Sequence, residues 1–228
     1  MSIKVKICGI TDLEDALVAA EAGADYLGFI FYPPSKRAID VKTAQYIVSH
    51  LRAGTNCPRL VGVFVNETAA TMAGILDACH LDLAQLSGEE VPSLIGDPQS
   101  PLYGRAYKAL RPTTLAEGEA EAEWYFPPQL TNPPGDQLPY PSLLIDTYHP
   151  ALRGGTGETG DWSLIAQLAR QIPGLMLAGG LTADNVATAV RQVRPYAVDV
   201  ASGVEAGPGK KEHDLVRAFV ARARHESA

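Results

Sequence analysis

The stretch IKVKICGITDLEDALVAAEAG, residues 3–23, holds one complete structural period. Residues 3–8 read as a short strand. Residues 13–23 put Leu13, Ala16, Leu17 and Ala20 on one face of a helix, with Gly23 as its stop. Thr11 and Glu14 have capping-box spacing ahead of that helix. The alternation then repeats. Strand-like runs lie at 25–31, 59–65, 81–86, 107–110, 142–146, 175–179 and 196–200. Helical stretches lie at 41–51, 68–78, 161–172, 182–193 and 212–223, with Asp161 and Thr182 placed as N-caps. Within 111–141 the pattern predicts helix only to about Tyr125, followed by a proline-rich loop.

Eight strand–helix units in 228 residues predict an α/β fold, a TIM barrel or (β/α)8 barrel with a parallel eight-stranded sheet, built as one domain over residues 1–228. A doubly wound open sheet is the alternative. It needs fewer strands and ordinarily carries a nucleotide-binding loop, which is not found in the sequence.

Composition narrows the function classes. The chain is 46% hydrophobic, which supports a large core, and its formal charge is −7, which gives no broad positive field for nucleic acid. An anionic ligand must therefore be held by a local site. Cys8, Cys57 and Cys79 form neither a disulfide framework nor a metal-ligand spacing. The sequence has no signal-like N-terminus and no run approaching the ~18 apolar residues of a membrane span. A cytoplasmic protein with reduced thiols and no membrane partner is the expectation.

Barrel sites form at the C-terminal ends of the strands. The polar residues gathered there are Cys8, the Ser35-Lys36-Arg37 group, Asn66, Gln85, Ser87, Lys108, Asp146 and the segment Asp199–Gly203. Cys8 is either a buried thiol that merely packs or a general base. Asp146 is either a loop cap or a general acid. Arg37, on the proline-braced loop FYPPSKRAI, is either a solvated charge or a forked ligand for a carboxylate. The glycine-rich segments RGGTGETGDW (153–162), AGGLTADN (178–185) and VASGVEAGPGKK (200–211) offer backbone N–H groups to an anion. The last two follow strands seven and eight, where this fold grips phosphate. None of the five histidines shows ligand spacing, although His149 closely follows Asp146.

Taken together, VKICGIT, GADYLGFIFYPPSKRAI, LVGVFVN, AQLSGEE, LLID, GGTGETGDW, LAGGLTADNV and VDVASGVEAGPGKK resemble the phosphoribosylanthranilate isomerase family, in order and across nearly the whole chain. The resemblance implies a (β/α)8 barrel acting in tryptophan biosynthesis. The implied reaction is an Amadori rearrangement, an aldose–ketose isomerisation. It converts N-(5-phosphoribosyl)anthranilate to 1-(2-carboxyphenylamino)-1-deoxyribulose 5-phosphate without metal or organic cofactor. It also implies the roles: Cys8 as base, Asp146 as acid, Arg37 facing the anthranilate, and Asp199 near the ribose. Gly155, Gly179, Gly180, Ser202 and Gly203 would lie in the substrate-binding loops. The oligomeric state stays open between monomer and homodimer.

Three positions depart from the family pattern. Ser87 stands where QLHG has histidine, Gly160 where an aromatic is common, and Ala201 where the late loop usually has serine. Indole-glycerol-phosphate synthase and ribulose-phosphate epimerase are rival barrels. Their lysine–glutamate pair and metal-ligand set, respectively, have no counterpart here. A catalytically silent sugar-phosphate binder would need neither Cys8 nor Asp146.

Overall fold

A computed structural model describes residues 3–131, 138–147 and 162–225. Eight parallel strands close into a barrel in sequence order, β1-β2-β3-β4-β5-β6-β7-β8. They are β1 (Lys4–Cys8), β2 (Tyr26–Ile30), β3 (Arg59–Phe64), β4 (Leu83–Leu86), β5 (Ala106–Leu110), β6 (Leu143–Asp146), β7 (Leu175–Ala178) and β8 (Ala197–Val200). Every strand-like run in the sequence overlaps one of them, and β5 begins one residue ahead of its run, at Ala106. The helices are α1 (Leu13–Glu21), α2 (Val41–Ala53), α3 (Ala69–Ala78), α4 (Ser93–Gly96), α5 (Leu115–Tyr125), α6 (Trp162–Gln171), α7 (Val186–Val193) and α8 (His213–His225). Among the described residues no helix is long and apolar enough to cross a membrane.

Alternation along each strand separates two buried surfaces. Val5 and Ile7 of β1 join the core between the sheet and the helices. Lys4, Lys6 and Cys8 take the other side. Within the barrel Tyr26, Val61, Leu83, Tyr107, Leu144, Met176 and Ala197 form a second apolar cluster. The barrel is thus filled rather than hollow.

The helix ends correct several expectations. Asp12, not Thr11, caps α1: its side chain accepts from the Asp15 N–H, while the Thr11 hydroxyl donates to the Gly209 carbonyl. Thr182 lies ahead of α7, which begins at Val186, and its own N–H donates to Asn185 Oδ1 at 2.8 Å. Asp161 lies outside the described residues. The fourth helix is a single turn of 4 residues, Ser93–Gly96, starting after Pro92. Helix α5 ends at Tyr125, where the prolines begin.

After β8 the chain makes a short 3-10 turn, Ser202–Val204, and then a two-stranded hairpin, β9 (Glu205–Gly207) with β10 (Lys210–Lys211). This hairpin crosses the seam where β1 meets β8. The Lys211 N–H donates to Asp15 Oδ2 at 2.7 Å, His213 Nε2 lies 2.9 Å from Asp15 Oδ1, and Lys210 Nζ lies 3.1 Å from Asp12 Oδ2.

Candidate active site

Cys8 is the last residue of β1 and 5% exposed. Its neighbour across the ladder is Gly28 of β2. A Cβ on Gly28 would stand 2.7 Å from the Cys8 sulfur, so the absence of a side chain there makes room for the thiol. The carbonyl of Gly28 accepts from the N–H groups of Gly9 and Ile10, which turns the chain out of the barrel after Cys8. Gly9 has φ +76°, and a Cβ there would meet Arg37 Cδ at 2.8 Å. Glycine is required at this position on both counts.

Lys6, on the same side of β1 as Cys8, is fully buried. Its ammonium donates to Asp199 Oδ1 at 2.9 Å and to Gln85 Oε1 at 3.0 Å. The Gln85 oxygen also accepts from the Tyr107 hydroxyl at 3.0 Å, and its amide donates to Ser87 Oγ at 3.1 Å. Burial alone would weaken the hold of Lys6 on its proton. The charge of Asp199, with Cys8 and Tyr107 behind it, outweighs burial and raises the lysine above its ordinary value. Burial pushes the Asp199 carboxyl up, Lys6 opposes it, and the nearby Asp146 adds to the rise. Burial likewise pushes the Cys8 thiol up, against the opposing charges of Lys6 and Lys211.

Asp146 ends β6 on the inward side, since Leu143 and Ile145 belong to the outer core. Its Oδ2 receives Arg111 Nε, an exposed residue just beyond β5, at 3.3 Å. The next residue, Thr147, is pinned to β7: its N–H donates to the Ala178 carbonyl at 3.0 Å and its hydroxyl reaches the same oxygen at 3.1 Å. Cys8, Asp146 and Asp199 thus project inward from three strands at the C-terminal end of the barrel.

Arg37 already sits in a forked pair, but with Glu205 of β9. Nε and Nη2 donate to the two carboxylate oxygens at 2.8 and 2.7 Å. Glu205 also holds Lys211 Nζ at 3.1 Å, and that ammonium donates to the Cys8 carbonyl at 2.6 Å and the Ala201 carbonyl at 3.1 Å. Burial pushes Glu205 up, yet Arg37 and Lys211 outweigh it and hold the carboxyl below the usual glutamate range.

The loops after β7 and β8 pack backbone against backbone. Gly179 and Gly180 have φ +98° and +62°. At Gly203 a Cβ would run into the Leu181 carbonyl, so only glycine lets the Ser202–Val204 turn lie against the β7 loop. Gly155, like His149 and Gly160, lies outside the described residues.

Other strand-end residues lie away from this group. Lys108 shares the helix-facing side of β5 with Ala106 and Leu110 and forms a buried ion pair with Glu90 at 2.7 Å. Asn66 has φ +55°, and its N–H donates to the same glutamate at 2.8 Å. These residues tie the loops after β3 and β4 to β5. Sequence reasoning passed over Lys6, Gly28, Glu205 and Lys211. Three of them left a signal, a glycine in β2 for Gly28 and a Glu-to-Lys spacing across GPGK for Glu205 and Lys211. Among the described residues no group of three or more His, Cys, Asp or Glu could hold a metal ion.

Comparison with known proteins agrees with this architecture. The family model described as PRAI, N-(5'phosphoribosyl)anthranilate (PRA) isomerase, matches residues 5–100 and 138–222. The N-(5'-phosphoribosyl)anthranilate isomerase of Azotobacter vinelandii is 44% identical over 226 residues, covering 98% of each chain. That of Pelobacter propionicus is 42% identical over 222 residues, 97% of this chain and 96% of its own. The crystal structure of phosphoribosyl anthranilate isomerase from Thermotoga maritima superposes with a TM-score of 0.81 at 38% identity, covering 98% of this chain and 99% of that one. A further structure of such an isomerase, in complex with reduced 1-(o-carboxyphenylamino)-1-deoxyribulose 5-phosphate, gives a TM-score of 0.78 at 36% identity, with the same coverage.

Proposed function

The chain belongs to the N-(5'-phosphoribosyl)anthranilate isomerase family, and on that premise we propose that it isomerises N-(5-phosphoribosyl)anthranilate with Asp146 as general acid and Cys8 as general base. The family's place is tryptophan biosynthesis. The observation that carries the assignment is the position of the two side chains. Each is the last inward-facing residue of its strand, at one end of one barrel, with Asp199 of β8 on the wall between them.

Asp146 protonates the ribose ring oxygen. The C1′–O bond breaks, and the lone pair of the anthranilate nitrogen forms a C=N bond, giving an open-chain iminium. The Cys8 thiolate then takes the proton from C2′. The electron pair released moves into C1′=C2′ and neutralises the nitrogen. The resulting enolamine tautomerises to the 2-ketone, and acid and base regain their starting states by proton exchange. Hydrogen is moved within the substrate, so the balance needs no external oxidant or reductant.

Arg37 suits the anthranilate carboxylate, because Glu205 engages only one edge of its guanidinium. The glycine-rich turns at Gly179, Gly180, Ser202 and Gly203 suit the phosphate, and Gly155 is proposed as a substrate-binding residue by the resemblance of its motif. Anchors at both ends would hold the ribose between acid and base. Such positioning contributes several kcal/mol to catalysis, of order 7–11 in favourable cases.

The test is turnover of freshly formed phosphoribosylanthranilate, followed by loss of its fluorescence. Cys8→Ser and Asp146→Asn are each expected to lower kcat by about 10²-fold or more, with binding of a reduced product analogue retained. Retained turnover in either variant would remove that residue from the chemistry. Equal loss of analogue binding would make its role structural.

A further inference from the structure

The mechanism needs a thiolate at a position where burial favours the thiol. The barrel interior supplies a counter-charge. Lys6 lies two residues before Cys8 on the same inward face of β1, fully buried. An ammonium offers three protons. Two go to Asp199 Oδ1 at 2.9 Å and Gln85 Oε1 at 3.0 Å, which hold the ammonium on the buried face of β1 that also carries the Cys8 thiol, where its charge opposes the effect of burial on the sulfur. Removing an ammonium from water costs several kcal/mol, and a buried ion pair seldom returns more than apolar packing would. A lysine so placed is therefore a poor choice for stability alone. Its neighbours hold it on a fixed line: Gln85 is in turn held by Tyr107 and Ser87.

We propose that Lys6 is the positioning residue for the base: held by Asp199 and Gln85, its ammonium stabilises the Cys8 thiolate in the closed interior of the barrel. This rests on Cys8 being the base. The other groups acting on the sulfur do not replace Lys6. Asp199 on β8 repels the thiolate, and Asp146 on β6 faces Asp199. Tyr107 on β5 hydrogen-bonds to Gln85. Arg37 is tied to Glu205, and the Lys211 ammonium is spent on that glutamate and two backbone carbonyls.

The experiment is the pH dependence of Cys8 alkylation by iodoacetamide, read at the Cys8 peptide by mass spectrometry so that Cys57 and Cys79 do not contribute. In Lys6→Met the midpoint is expected to move up by about 1–3 pH units, the span typical of losing a nearby opposite charge. The alkaline-rising limb of kcat should move with it. Lys6→Met strands Asp199 as a lone buried charge and can fail to fold. Lys6→Met/Asp199→Asn leaves no such charge, and its midpoint is expected to move in the same direction by less. An unmoved midpoint in the folded single variant overturns the proposal; where only the double variant folds, its unmoved midpoint does so. Alkylation reads the thiol whether or not turnover occurs. Failure of Cys8 as base would appear separately, as an active Cys8→Ser enzyme.

Discussion

Gly28 sets the space available to the Cys8 side chain. A Cβ there would stand 2.7 Å from the sulfur and 3.2 Å from the Cys8 Cα, so a methyl group must either turn the thiol aside or force β1 and β2 away from each other. Gly28→Ala is expected to cost about 1–3 kcal/mol of stability, the range for overpacking a tight interior. It should lower kcat more than the melting temperature suggests, because the thiol moves off its line to the substrate. Denaturant unfolding alongside steady-state kinetics checks both. Cys8 and Asp146 were legible in the sequence because each is a polar residue closing an apolar strand, whereas Asp199, one residue before the end of β8, was singled out by its motif. Lys6 was neither. In IKVKIC the alternation of charged and apolar residues looks like one wet and one dry face, whereas here both faces are buried and the lysine points into the barrel. Arg37 was legible as a forked donor, but its carboxylate partner lies 168 residues away, beyond the reach of any local pattern.

At the scale of elements, short helices depend on their ends. Helix α1 has 9 residues, and its first turn is held by Asp12, whose side chain accepts from the Asp15 N–H at 2.9 Å and meets Lys210 of β10 at 3.1 Å. Asp12→Ala is expected to cost about 1 kcal/mol through the lost cap, measured as a shift of the urea midpoint with unchanged slope, and to leave kcat nearly intact. The strands were legible throughout, since each is an apolar run bounded by turn residues. Helix α4 was not, because one turn between Pro92 and Pro98 is too short to show a helical period. The β9–β10 hairpin was also missed. VEAGPGKK reads as a glycine-rich grip, and only the tertiary partners Asp15, Arg37 and Cys8 reveal that Glu205 and Lys211 face inward.

For the whole molecule, the Glu205 carboxylate links β9, β10 and the loop after β2. Folding holds its pKa below that of the unfolded chain. Its contribution is therefore complete above the ordinary glutamate range, near pH 4.3, and is lost as pH falls through the lower, folded value. Glu205→Gln is expected to destabilise the protein by about 2 kcal/mol at neutral pH, the scale of charge-assisted hydrogen bonds. The gap between variant and wild type should narrow as the medium is acidified below the ordinary glutamate range. Melting temperatures of the two proteins across that range decide it; a gap independent of pH would mean that the charge is not what stabilises.

The seam between β1 and β8 has a consequence for synthesis. Lys4, Val5, Lys6 and Ile7 pair with Ala197, Val198, Asp199 and Val200, and the Cys8 carbonyl waits for Lys211. A nascent chain emerging from the ribosome holds its first strand with one edge bare until nearly all the rest has been translated. Over that interval the cysteine lacks its roof and the buried lysine lacks its carboxylate. The barrel thus closes, and the proposed site is completed, only with the last strand and hairpin to appear.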